Sequence, residues 1–266
     1  MTQRWTAVIL AGQRPGTDPL AAHFGETYKA LIPIAGEPMV THVVRTLSSV
    51  VVIGRIIVLA QQPDIMAPAV AAGGHATLMV SQSGISQSIL SVAGSDDAPW
   101  PLLVTTADHP LLTRAMVEAF IAQSVDADVA VAMVARKTMI AQFPGARRTW
   151  LRFADGAWSG ANLFALMGPE ALPALRLWAE AEADRKRPWR LFSHFGLSLA
   201  LRAITRTIGL AHALNLAGNK LGMRVRLVAM ADPMAAIDVD KLLDHQQAES
   251  LLKARANALV SPLLSD

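Results

Sequence analysis

Apolar runs and helical patterns alternate along the first half of the chain. Trp5 to Leu10 (WTAVIL) is a short apolar run that predicts a buried strand. Pro38 to Leu47 comes next with helical spacing and a proline where a first helical turn tolerates one. The β-branched run Val50 to Leu59 predicts the next strand, Pro63 to Ala72 a helix, and Ala76 to Val80 a strand. Ser86 to Ala93 reads as a helix with Ser86 as its cap, and Leu102 to Thr106 as a strand. A Thr113 cap opens a helix through Gln123, and Val129 to Val134 is a further strand. Strands separated by helices of this length predict βαβ units and a parallel sheet covered on both faces.

The second half is patterned differently. Pro144 to Arg152 is a basic loop containing Arg147 and Arg148, and Ala161 to Leu166 reads as a strand. Glu170 to Glu182 is amphipathic, and a basic hinge, Arg185 to Arg190, comes next. Two apolar helices are expected at about 191–204 and 207–216, then a strand at Val225 to Met230 and a helix at Lys241 to Ala258. The pattern predicts one domain over 1–266 with a helical insertion at about 170–222. The fold class expected is α/β: three layers, Rossmann-like, with a mostly parallel sheet.

Composition narrows the function. Of 266 residues, 52% are hydrophobic and 17% charged, which excludes a disordered or fibrous chain. A net charge of +3 is a weak field at this length and gives no reason to expect nucleic acid. The absence of cysteine excludes a disulfide scaffold, a thiolate metal site and a cysteine nucleophile. Met1 to Trp5 runs directly into the first strand without signal-peptide features, and no uncharged apolar run reaches the roughly 18–20 residues that span a bilayer. The expected setting is the cytoplasm.

Three motifs carry candidate chemistry. The first strand ends in Leu10-Ala11-Gly12-Gln13-Arg14-Pro15-Gly16, with Lys29 downstream. Small residues at a strand's carboxyl end let backbone N–H groups approach a phosphate, and Arg14 and Lys29 supply positive charge. The motif is neither a P-loop nor a dinucleotide fingerprint, and a plain glycine turn is the competing reading. The second is Thr105 to Leu112 (TTADHPLL), where a strand delivers Asp108 at its carboxyl end. Such a carboxylate suits Mg²⁺, which takes one or two protein carboxylates plus phosphate oxygens. The competing reading is a helix-start aspartate accepting backbone N–H groups, and His109 reads as a turn residue. The third is Ile237-Asp238-Val239-Asp240. Period-two spacing puts both carboxylates on one side if the segment is extended, and Asp240 can instead cap the last helix with Asp244 in its first turn.

Two smaller loops add candidates. Gln82 to Ser88, including Gly84 and Ser86, is a polar entry to a helix that offers amide and hydroxyl donors to a nucleobase edge. Ser159-Gly160-Ala161-Asn162 offers a tight turn and an amide that can face a second substrate.

Together these residues resemble the MobA-like NTP transferases of the nucleotidyltransferase superfamily. The resemblance rests on LAGQRPG, on Lys29 to Met39 (KALIPIAGEPM), on ADHPLL, and on SGANLF and DVDKLLD. It implies a GT-A type, Rossmann-like fold and a Mg²⁺-dependent transfer of NMP from an NTP to a phosphorylated small molecule, CTP or GTP being favoured. It further implies nucleotide contacts at Leu10, Ala11, Gly12, Gln82, Gly84 and Ser86, with Arg14 and Lys29 on the phosphates. Asp108 and Asp240, or Asp238, would hold the metal, and Gly160 and Asn162 would face the acceptor. Gln13, Pro15 and Lys241 to Leu243 depart from the family pattern, and 170–222 matches no part of it. Two other readings remain: a nucleotide-sugar glycosyltransferase of the same fold, and a non-catalytic nucleotide-binding module. The helices at 190–217 are candidates for a membrane-surface or homo-oligomer contact.

Overall fold

A computed structural model describes residues 4–13, 16–183 and 196–260. Its strands, in chain order, are β1 (Trp5–Leu10), β2 (Pro33–Ile34), β3 (Glu37–Pro38), β4 (Ile53–Ala60), β5 (Thr77–Val80), β6 (Leu102–Thr106), β7 (Val129–Ala135), β8 (Leu151–Phe153), β9 (Gly156–Leu166) and β10 (Val225–Ala229). All but the small β2–β3 hairpin join one mixed eight-stranded sheet, ordered β10-β7-β9-β6-β1-β4-β5, with β8 added on β9.

β1 pairs in parallel with β4 and β6, β4 with β5, and β7 with β10. β9 runs antiparallel between β6 and β7, so the strand expected at Ala161 to Leu166 is both longer than its apolar run and reversed. Its polar first half, from Gly156, escapes a reading based on hydrophobic runs because only the buried half looks like a core strand.

Alternation along the strands feeds two cores. Ala7, Ile9, Val58 and Leu103 face one layer, whereas Val8, Ile57, Leu59 and Val104 face the other. The first layer is filled by α2 (Met39–Ser48), α3 (Pro63–Gly73) and α5 (Arg114–Ser124), through residues such as Val43, Met66 and Phe120. The second is filled by α4 (Ile85–Val92) and α7 (Leu172–Ala183), through Ile89, Val92 and Leu175. Strands buried on both sides must be apolar throughout, which is why WTAVIL and IIVLA lack polar alternation.

Two further helices, α1 (Pro19–His23) and α6 (Arg136–Gln142), arise where short segments give no readable period. Among the described residues, the α-helices between β9 and β10 are α7, Leu197–Ile204 and Leu210–Lys220. Leu201 and Ile204 of the second are exposed. The basic hinge at 185–190, the start of the 191–204 helix and Arg14 lie outside the described residues. Among the described residues no helix is long and apolar enough to cross a membrane.

The order of the strands locates the site. From β1 the chain builds outward through β4 to β5, then returns by α4 on the other face to β6, beside β1. The switch point between β1 and β6 opens a crevice at their carboxyl ends, the place where open α/β sheets bind ligands.

Candidate active site

Leu10 and Thr106 end the two strands that flank the crevice, and the Ala107 amide donates to the Leu10 carbonyl at 3.0 Å. Ala11 is buried and donates to Leu59, whereas Gly12 is exposed beyond the strand end. Gln13 braces the turn beyond the strand. Its side-chain amide donates to the Thr27 carbonyl at 3.0 Å, and its Oε1 accepts the Lys29 amide at 3.2 Å. Gln61, just past the end of β4, accepts the Gln13 amide and returns a bond to the Gln13 carbonyl at 2.6 Å. These two glutamines tie the glycine turn to the segment that carries Lys29. In the sequence Gln13 is only a departure from the family pattern, and Gln61 carries no signal.

The Lys29 ammonium lies between two carboxylates. Its Nζ is 2.6 Å from Asp108 Oδ2 and 2.5 Å from Asp240 Oδ1. Burial alone would lower its pKa; the Asp108 carboxylate and then Asp240 outweigh that and hold it above the ordinary lysine value, so the side chain is a fixed cation. Asp108 is not a helix-start residue bonded to backbone amides: Oδ2 is on Lys29, and Oδ1 is buried without a hydrogen bond. Asp240 reaches Lys29 because the Val239 amide donates to the Asp108 carbonyl at 2.9 Å, lashing the two segments together. The last helix (Leu242–Val260) is capped not by Asp240 but by Asp244, which accepts the amides of Asp240 and Lys241. This frees the Asp240 carboxylate for the crevice.

Asp238 goes elsewhere. It pairs with Arg148 and accepts from Asn162 Nδ2 at 3.3 Å. Of the two aspartates that an extended segment would put on one side, Asp240 shares a cation with Asp108 among the described residues, and Asp238 is turned to Arg148 and Asn162. Asn162 sits where the β7–β9 register shifts, with φ +48°, a conformation asparagine tolerates better than most residues. The shift aims its amide at Asp238, while Gly160 lies opposite Met133 near the end of β7. His109 is 1% exposed, and neither ring nitrogen forms a hydrogen bond, although the Met234 backbone lies beside it. Burial lowers its pKa against the pull of Asp108 and Asp238, so the imidazole is neutral. The structure brings Arg148 and the buried His109 beside Asp238 and Asp108, a placement that a basic loop and a turn histidine do not advertise in the sequence.

The loop before α4 is also occupied. Gly84, not Ser86, is the N-cap residue of α4, and the buried Ser86 lies inside the helix. The Ser86 amide and hydroxyl both donate to Glu182 Oε2 of α7, at 3.0 and 2.5 Å. Gln82 is exposed, and its amide is held by Ser88 Oγ at 2.8 Å.

The residues fit a magnesium ion of the kind the resemblance implies. Two carboxylates already share one cation, and a buried oxygen of Asp108 is unpaired. Among the described residues no three acidic or histidine side chains form a closed cage. Two carboxylates are the number of protein ligands that Mg²⁺ commonly takes alongside phosphates and water.

The model of the MobA-like NTP transferase domain matches residues 7–196. No curated protein matches the chain. Among solved structures, a hypothetical transferase from Thermus thermophilus is 27% identical, with a TM-score of 0.76 over 91% of this chain and 99% of that one. The 4-diphosphocytidyl-2C-methyl-D-erythritol synthase of Anaerococcus prevotii is 12% identical, TM-score 0.60, over 95% and 100% of the two chains. A CMP:2-keto-3-deoxy-manno-octonic acid synthetase complexed with CTP is 17% identical, TM-score 0.60, over 95% and 99%. At those identities the last two bear on the fold alone.

Proposed function

The chain belongs to the MobA-like NTP transferase family, and from that premise we propose that it moves NMP from an NTP to a phosphorylated small molecule and releases pyrophosphate. The observation that carries this reading is the single ammonium shared by Asp108 and Asp240 at the switch point. The acceptor is a sugar, polyol, lipid-headgroup or cofactor phosphate, and CTP or GTP is the donor. The CTP complex of a structural neighbour supports triphosphate binding in this fold.

The nucleotide lies over Leu10 to Gly12, where the exposed Gly12 beyond the strand end lets phosphates approach. Lys29 turns from the carboxylates to the phosphates, as a point charge on a flexible stem can do. Asp108 and Asp240 are the carboxylates that would hold the Mg²⁺. When bound, the ion would supply neutralisation of the negative charge that builds up during the transfer. An acceptor phosphate is already an anion at neutral pH, so the chain needs no general base. Its oxygen attacks the α-phosphorus in line, the new P–O bond forms as the bond to the β-phosphate oxygen breaks, and pyrophosphate leaves with that electron pair. The chain contributes position and fixed charge, the means by which phosphoryl transfer is generally accelerated. Gly160, Asn162 and the Arg148–Asp238 pair form the acceptor side.

Calorimetric titration with CTP, GTP, ATP and UTP, with and without Mg²⁺, tests the donor half. Mg²⁺-dependent binding that Asp108→Ala weakens is expected. Incubation with candidate phosphates then tests the reaction through pyrophosphate release. Release of a nucleoside diphosphate from a nucleotide sugar would move the protein to the glycosyltransferases, and no nucleotide binding would make it an assembly module.

A further inference from the structure

Glu182 changes the chemistry of the loop that precedes α4. That loop brings a backbone amide and a hydroxyl, both from Ser86, to the carboxyl edge of the sheet. Both donors are committed to one oxygen, Glu182 Oε2, at 3.0 and 2.5 Å. A carboxylate at a helix N-terminus accepting two donors is a charge-assisted arrangement, roughly twice as strong as neutral hydrogen bonds. A base carbonyl or ring nitrogen is a neutral acceptor and competes poorly for the same donors.

The surroundings are shaped around this carboxylate. Gly84 has an extended backbone, φ −137°, that any residue can adopt. A Cβ at Gly84, however, would lie 3.0 Å from Glu182 Oε2, so the missing side chain leaves room for the carboxylate. The helix that carries Glu182 is packed down. Leu175 and Trp178 of α7 share a core with Ile89 and Val92 of α4, which fixes the carboxylate relative to the loop. Both bonds land on Oε2, and a carboxylate has a second oxygen that can itself accept from a donor.

We propose that Glu182 is the specificity-determining residue for the nucleobase: held by Ser86, it turns a donor loop into an acceptor that reads bases through an exocyclic amino group. The inference rests on the nucleotide-site reading above. Cytosine meets Glu182 with its 4-amino group, and guanine with its 2-amino group and N1–H. Uracil presents a carbonyl at the position of the cytosine amine and is rejected. Carboxylates accept from the cytosine amine in this way in nucleic-acid recognition.

The test is calorimetric titration of the full chain with the magnesium complexes of two pairs, CTP with UTP and GTP with ITP, which lacks the 2-amino group. In the wild-type protein the amino member of the pair that binds is expected to be at least about tenfold tighter, the worth of one hydrogen bond to a charged group. Glu182→Gln keeps the shape and the bond from Ser86 but offers an amide. It should bring that ratio towards one, for CTP and UTP mainly by improving UTP. Glu182→Ala, with folding checked by thermal unfolding, should lower affinity for the amino member. An unchanged ratio in Glu182→Gln overturns the inference and leaves the nucleotide site standing. An equal gain for all four nucleotides also overturns it, because Glu182 would then be only a plug. If no nucleotide binds the wild-type protein, the nucleotide-site reading falls and the inference with it.

Discussion

Two aspartates two residues apart, Asp238 and Asp240, have opposite fates. Asp240 is 58% exposed and shares the Lys29 ammonium with Asp108. Asp238 is 20% exposed, paired with Arg148 and bonded to Asn162. The first arrangement is one cation for two anions, so a negative charge is left over and a second cation is welcome. The second is one for one, neutral and mostly dry. Two under-neutralised carboxylates can take a metal while their shared ammonium turns to phosphates, whereas a closed pair shapes a wall. On the proposed function, the contrast would divide the crevice into a half for charge chemistry and a half that positions.

If this division holds, the largest effect belongs to Asp108. Asp108→Ala should lower kcat/KM by about 10³-fold or more while leaving the far-UV CD spectrum unchanged, with pyrophosphate release as the readout. Lys29→Ala should come second, at about 10²- to 10³-fold, because it removes a flexible charge that can track the phosphates. A larger loss of folding stability than of activity would assign Lys29 to the structure instead. On the other half the sign of importance reverses. Arg148→Met should destabilise the fold by about 3 kcal/mol in urea, since it strands the Asp238 carboxylate in a mostly buried place. The double variant Arg148→Met, Asp238→Leu should recover more than half of that loss, because both charges are gone. Asp240→Asn is expected to cost only about tenfold in kcat, in keeping with its exposure to water. Asn162→Gly should be smallest in stability, within about 1 kcal/mol, because glycine accepts the positive φ that asparagine already tolerates. It should still raise the acceptor KM through the lost amide. An Asp238→Asn effect on activity as large as that of Asp108→Ala would erase the distinction between the two halves.

Much of the architecture is legible without coordinates. Trp5 to Leu10, Leu102 to Thr106 and the Thr113-capped helix stand where their patterns put them, within a residue or two. Asp108 can be singled out because a strand end and a proline turn together make a recognisable context. Ser86 reads as a cap in the sequence because Gly84, the true cap residue, has no side chain to advertise the helix start. The direction of β9 is not readable, because hydrophobic periodicity is the same for a strand run either way.

What the sequence determined by itself was local: which segments are strands or helices, which of them are buried on both faces, and which chemical groups end the strands. These depend on backbone period and side-chain type within a few residues. What only the tertiary structure decided was pairing. Lys29 meets Asp240 across 211 residues, and Ser86 meets Glu182 across 96. Capping by Asp244 and the register shift at Asn162 decide where Asp240 and Asp238 turn. Charge and hydrogen bonding act over a few ångströms in space, and chain distance carries almost no information about which groups will be that close.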